Sequence, residues 1–128
     1  MARILVVDDN EEIAHLVSII LGREGYDVEI ALSGKECIEK LRTFSPDLIL
    51  MDYFMPGDDG VVVAKHIRKE SRFGRVPIIL FTIMSFQEGL QEAVEEAGAV
   101  DYIQKPFDIS TMLKKIKRAL SAAPVAAK

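Results

Sequence analysis

Leu48-Ile49-Leu50-Met51-Asp52 is a run of four apolar side chains closed by an acid. No polar residue alternates within the run, so both of its faces favour burial. Such a segment reads as a strand inside a parallel sheet covered by helices on both sides. Two other segments repeat the form. Ile4-Leu5-Val6-Val7 leads into Asp8-Asp9, and Ile78-Ile79-Leu80-Phe81 leads into Thr82. Val28, Ile30 and Leu32 instead alternate with Glu29 and Ala31, the pattern of a more exposed strand. A weaker fifth strand is expected from Val100 to Ile103, after the Gly98-Ala99 turn.

Helical patterns fill the intervals. Ile13, Leu16, Val17, Ile20 and Leu21 form an amphipathic stripe, with Asn10 as N-cap and Gly22 or Gly25 as the stop. Ser33 or Gly34 opens a second helix that runs through Ile38 and Leu41. Asp58 or Asp59 caps a third carrying Val62, Val63 and Ile67. A polar fourth helix is expected near Phe86 to Ala97. A fifth, capped near Asp108 or Ser110, carries Met112, Leu113, Ile116 and Leu120. Strand and helix alternate five times, which predicts an α/β fold with a parallel sheet. The two less apolar strands belong at the edges. The result is a doubly wound (βα)5, flavodoxin-like fold with a five-stranded sheet in the order 2-1-3-4-5.

The chain of 128 residues has the length of one domain. Its formal charge of −4 argues against direct nucleic-acid binding. Lys114, Lys115, Lys117 and Arg118 form the one dense basic cluster, and they sit where a helix C-terminus favours cations. The single cysteine, Cys37, permits no internal disulfide and suits a reducing compartment. No apolar run is long enough for membrane insertion and no signal-peptide pattern opens the chain. A soluble, cytoplasmic protein is expected.

In the order 2-1-3-4-5, ligands bind beyond the carboxyl ends of the strands, where the chain changes direction. Asp8 and Asp9 end the first strand, Asp52 the third and Thr82 the fourth, and Lys105 follows the fifth. Any one of these acids alone would pass as a helix cap. Together they converge on one crevice. Carboxylates crowded in this way need a cation, and Mg²⁺ is the abundant intracellular one with a preference for oxygen ligands and phosphate. Asp52 is then a candidate nucleophile that forms an aspartyl phosphate. Lys105 and Thr82 are candidates for holding phosphate oxygens. His15 and His66 lie among charged helix neighbours, away from this crevice, and read as solvated histidines.

With these residues in place the chain resembles the receiver domain of two-component response regulators, in particular the single-domain chemotaxis type. The matching motifs are Asp8-Asp9, Met51-Asp52 with Met55-Pro56-Gly57, Asp59-Gly60, Thr82, Gly98-Ala99, Asp101-Tyr102 and Lys105-Pro106-Phe107. The resemblance implies that Asp52 accepts phosphate from a phosphohistidine on a sensor histidine kinase or a histidine phosphotransfer protein. It implies a Mg²⁺ site made by Asp8, Asp9, Asp52 and the backbone carbonyl of Phe54. Thr82 and Lys105 would hold the phosphoryl group, and the Lys105-Pro106 bond would be cis. Thr82 and Tyr102 would form the switch, with output to a protein target through the fourth helix, fifth strand and fifth helix. Catalysis would be limited to the domain's own phosphorylation and dephosphorylation. Residues 1–121 are expected to form the receiver and 122–128 a short Ala-rich tail, with no effector domain after it.

Ile83 departs from the family pattern, which has Ala or Gly after the threonine, and its bulk is expected to crowd access to Asp52. Phe54 is expected either to screen the acyl phosphate or to pack on its loop. Two other functions remain open on the residues alone. FMN carriers share the fold, but they need a Ser/Thr/Gly-rich phosphate loop where this chain has Asp8-Asp9-Asn10-Glu11-Glu12. A phosphatase would need a general acid beside Asp52, a place for which Asp9 is the one candidate.

Overall fold

The computed structural model describes residues 2–55, 57–83 and 89–122. Five strands and five helices alternate: β1 (Arg3–Val7), α1 (Glu11–Arg23), β2 (Asp27–Ala31), α2 (Gly34–Lys40), β3 (Leu48–Asp52), α3 (Gly60–Lys69), β4 (Ile78–Thr82), α4 (Leu90–Ala97), β5 (Asp101–Gln104) and α5 (Ile109–Ala122). The sheet is parallel, and its order is β2-β1-β3-β4-β5. The expected architecture and strand order both hold.

Period-two geometry explains why the central strands are apolar throughout. Leu5, Val7, Ile49, Met51, Ile78 and Leu80 face one way, into a core with Leu41, Ala64, Ile67 and Ala97. Ile4, Val6, Leu48, Leu50, Ile79 and Phe81 face the other way, onto Val17 and Leu21 of α1 and Met112 and Ile116 of α5. A polar residue at any of these strand positions would be stranded in one core or the other.

Helix starts follow the caps expected. Asn10 Oδ1 accepts from Ile13 N (3.1 Å), Ser33 Oγ from Glu36 N (3.0 Å) and Asp59 Oδ1 from Val61 N (2.8 Å). Asp108 Oδ2 accepts from Thr111 N at 2.9 Å at the head of α5. The first helix passes Gly22 and ends at Arg23, and Gly25 supplies the left-handed turn (φ +93°).

Several expectations need correction. Leu16 is half exposed; Ala14 takes its place beside Val17 and Leu21 in the core. Val62 points outward and Val61 inward, because α3 begins at Gly60 and sets the phase of its buried stripe. In β2 no clean alternation develops, since α1 and α2 both shelter this edge strand. Cys37 is fully buried, and that burial pushes its thiol up to about 12. It is therefore a packing residue and not a reactive thiolate. The fifth strand is Asp101–Gln104, one residue later than expected at each end. A short antiparallel ribbon, Phe54–Met55 with Asp58–Asp59, lies between β3 and α3 and was not anticipated. Phe86 and the expected first turn of the fourth helix lie outside the described residues. So does the tail beyond Ala122, which α5 reaches.

One half-buried cation ties the loops opposite the site. The Arg68 guanidinium donates to the carbonyls of Val76 (2.6 Å), Phe73 (3.2 Å), Gly74 (3.3 Å) and Gly98 (2.8 Å). Arg68→Met would remove the guanidinium donor from these carbonyls, of which Phe73 O keeps the Val76 N–H (3.4 Å), and is expected to cost about 2–3 kcal/mol in urea unfolding. Lysine should recover little, because it lacks the fork that reaches two loops at once. Unfolding midpoints of the two variants against the parent check this.

Candidate functional site

The sheet register sets the site. Val7 pairs with Met51, Asp52 with Phe81 and Thr82 with Gln104, so β1, β3, β4 and β5 end at nearly the same level. Asp8, Asp52, Thr82 and Lys105 thereby share one end of the sheet. Asp8 is 0 % exposed, Asp52 5 % and Thr82 2 %, while Asp9 is exposed. Buried charges at strand ends need partners, and Lys105 supplies one to both buried acids.

Asp8 uses both oxygens. Oδ1 accepts from Asn10 N at 2.9 Å, and Oδ2 accepts from Lys105 Nζ at 2.9 Å. The same ammonium lies 3.4 Å from Asp52 Oδ1. Lys105 is therefore held mainly by Asp8 and reaches Asp52 more loosely. Its backbone N–H donates to Thr82 O (2.7 Å), which fixes the residue against the end of β4. Nζ also sits 5.0 Å above the Phe81 ring, and Phe107 meets that ring edge-on at 5.5 Å between centroids. The Lys105-Pro106 peptide is cis, as expected.

Asp8, Asp9 and Asp52 each offer a carboxylate oxygen within 4.8 Å of the others. Three carboxylates against the Lys105 ammonium leave a formal excess of two negative charges. Burial first, and the Asp8 carboxylate second, push the Asp52 carboxyl up to about 7, against the opposing pull of Lys105. This donor set is hard, oxygen-only and short of positive charge. It suits a small divalent cation such as Mg²⁺.

Phe54 begins the short ribbon two residues after Asp52, and its side chain is 71 % exposed. It is therefore not packed on the loop. Ile83 is 79 % exposed and stands clear of the core at the end of β4. Both are exposed apolar side chains that closely follow the strand-end residues Asp52 and Thr82 in sequence. Tyr102 is half-buried in β5, paired with Leu80, and packs on the core shared with α3 and α4. His15 and His66 are exposed, as expected.

Two residues contribute to the site in ways their sequence positions did not show. Phe81 read as one more apolar strand residue, yet its ring is the platform for Lys105. Gly60 matters for space: its N–H donates to Tyr53 O (2.7 Å), and a Cβ there would strike the Asp52 carbonyl oxygen. Gly60→Ala should displace the segment behind Asp52 and cost about 1–3 kcal/mol. Urea unfolding of the variant against the parent checks this.

A doubly wound sheet with an acidic trio and a lysine at its switch point defines a receiver-type domain. The chain belongs to the response regulator receiver domain family, which it matches over residues 4–117. It is 38% identical over 125 residues to the alkaline phosphatase synthesis transcriptional regulatory protein PhoP of Bacillus subtilis, covering 98% of this chain and 51% of that protein. It is 35% identical over 122 residues to the DNA-binding dual master transcriptional regulator RpaA of a Synechocystis species, covering 94% and 49%. The chain thus spans about half the length of these curated relatives. Among solved structures, the chemotaxis protein CheY4 of Vibrio cholerae superposes with a TM-score of 0.88 at 34% identity, covering 93% of this chain and 98% of that one. No helix among the described residues is long and apolar enough to cross a membrane.

Proposed function

We propose that Asp52 is the phosphoacceptor of a two-component or phosphorelay system, loaded from a phosphohistidine on a sensor histidine kinase or histidine phosphotransfer protein. The observation that carries this reading is a nearly buried carboxylate at the switch point, flanked by two further acids and reached by one lysine. Asp8, Asp9, Asp52 and the backbone carbonyl of Phe54 are the groups that would hold Mg²⁺. Bound there, the ion neutralises charge on the transferring group.

An Asp52 oxygen attacks phosphorus in line, a P–O bond forms and the donor's P–N bond breaks. The bonding pair returns to the imidazole nitrogen, which takes up a proton. Asp52 must be ionised to attack, and a cation held beside it by Asp8 and Asp9 would favour the carboxylate form. Lys105 stands 3.4 Å from the nucleophilic carboxylate and transfers its contact to a phosphoryl oxygen. The Thr82 hydroxyl donates to another. As Thr82 moves toward the phosphate, Tyr102 turns inward, which shifts the population of two states of the face formed by α4, β5 and α5. The domain catalyses only its own phosphorylation and dephosphorylation.

Output is through protein contact on that face, in the cytoplasm. The relatives named as DNA-binding are twice as long, and the −4 charge of this chain does not favour contact with nucleic acid by the receiver itself. Residues 1–121 are proposed to form the whole receiver unit. Incubation with Mg²⁺ and acetyl phosphate, followed by intact mass measurement, tests the reading. A phosphoryl adduct on the parent chain and none on Asp52→Ala supports it. No adduct from either acetyl phosphate or a phosphohistidine protein refutes it.

A further inference from the structure

Lys115 belongs by sequence to the basic run of α5, but it does not join that run on the surface. Its side chain is 20 % exposed and turns toward β5. Nζ donates to Tyr102 O at 2.6 Å, lies 3.4 Å from Asp101 Oδ1 and sits 4.0 Å from the centroid of the Tyr102 ring. Asp101 Oδ1 also accepts the Tyr102 N–H at 2.8 Å. One cation thus grips Tyr102 by its carbonyl and its ring, and Asp101 holds both that cation and the Tyr102 N–H.

We infer that Lys115 is a positioning residue that holds Tyr102 in its resting conformation and so sets how readily the domain reaches its phosphorylated state. The inference rests on the proposed switch role of Tyr102. The contacts divide by kind. The hydrogen bond to Tyr102 O and the ion pair with Asp101 involve the strand backbone and its neighbour, and a rotation of the Tyr102 side chain leaves them intact. The ring contact is different, because it exists only while the ring stays over the ammonium. A cation on an aromatic face in a partly desolvated place favours that geometry by an amount equivalent to roughly three- to tenfold in an equilibrium constant. Any state that draws the Tyr102 ring away must forgo this attraction. The resting state is therefore favoured by a group that touches none of the phosphate-handling residues. Because Lys115 lies on α5 and Tyr102 on β5, the contact also links two elements of the proposed output face to the position of one side chain.

The charge of Lys115 is balanced locally by Asp101, so a neutral replacement leaves that acid without its partner. Asp101 is itself partly exposed, and water can solvate it. Lys115→Met keeps the length and the apolar stem, while Lys115→Arg keeps the cation and its affinity for the ring face.

The test is a double-mutant cycle on phosphorylation by acetyl phosphate at fixed Mg²⁺, read by intact mass against time, with thermal unfolding to show that each variant is folded. In the reaction an Asp52 oxygen forms a bond to phosphorus and the acyl C–O–P linkage breaks at phosphorus, releasing acetate. Lys115→Met is expected to be phosphorylated roughly three- to tenfold faster than the parent, and Lys115→Arg at the parent rate. In a Tyr102→Ala background, which keeps the backbone contacts and removes the ring, Lys115→Met should have no effect. A folded Lys115→Met variant with the parent rate overturns the inference. So does an acceleration that persists in Tyr102→Ala, since the lysine would then act by another route. If the parent chain takes no phosphate at all, the phosphoacceptor reading has failed instead, and the two failures cannot be confused.

Discussion

Lys105→Met is expected to slow phosphoryl transfer to Asp52 by roughly 10²–10³-fold, the loss typical when one preorganised charge donor is removed from a site of developing negative charge. The ammonium is placed for this. It is 2.9 Å from Asp8 and 3.4 Å from Asp52, its backbone is pinned to Thr82 O, and it rests over the Phe81 ring. The same substitution leaves two nearly buried carboxylates without their cation. In metal-free buffer above pH 7 it should also destabilise the fold by about 3–5 kcal/mol, the scale for breaking a buried ion pair from one side. Mg²⁺ should recover much of the lost stability and little of the lost rate, because a bound cation replaces the charge at the acids but not the contact with the phosphoryl oxygen. Stopped time courses with acetyl phosphate, beside urea unfolding with Mg²⁺ or with EDTA, separate the two effects. Equal recovery of both would contradict the assignment of Lys105 to the phosphoryl group.

Asp52→Asn should act in the opposite direction on stability. Burial, with the Asp8 carboxylate, raises the Asp52 carboxyl from 3.8 to about 7 in the metal-free chain. Between about pH 4 and pH 7 the folded chain holds a proton that the unfolded chain has released. The unfolded state binds fewer protons across that window, so stability falls as pH rises and stays low above it. Removing the carboxylate removes this slope. Asp52→Asn in EDTA should therefore match the parent near pH 4 and exceed it by about 2–4 kcal/mol at pH 8. Mg²⁺ should narrow the gap by stabilising the parent more than the variant. Urea unfolding of both proteins at the two pH values gives the answer. A parent whose stability is flat from pH 4 to pH 8 would show that Asp52 is not strained by its surroundings.

Both predictions depend on how sharply the acids are placed, and that placement was largely legible in the sequence. Unbroken apolar runs at Ile4–Val7, Leu48–Met51 and Ile78–Phe81 allow one arrangement only, with helices on both sheet faces. Parallel register then brings the residues after those runs to a common level. Asp8, Asp9, Asp52, Thr82 and Lys105 follow from strand ends alone. Contacts that depend on rotation about a helix axis were less legible. Leu16 and Val62 satisfy an apolar spacing, but α1 and α3 start where their caps put them, and the phase left both side chains facing solvent. The ribbon at 54–55 and 58–59 is too short to carry any periodic pattern. Lys115 looked like one of four cations at a helix end. Only the docking of α5 against β5 shows that it faces Tyr102 and not water. Phe54 is a similar case: an aromatic two residues after a strand-end acid reads equally as lid or as filler, and its exposed ring here fills nothing.

The phosphoacceptor role of Asp52 turns on which atom receives phosphate. The direct measurement is borohydride reduction of the chain after exposure to acetyl phosphate and Mg²⁺, followed by peptide mass mapping. Reduction converts an aspartyl phosphate to homoserine and leaves free carboxylates unchanged. Homoserine is expected at position 52 alone, and only in samples that received both phosphodonor and Mg²⁺. Homoserine at Asp8 or Asp9, or phosphate that survives reduction on another side chain, would contradict it.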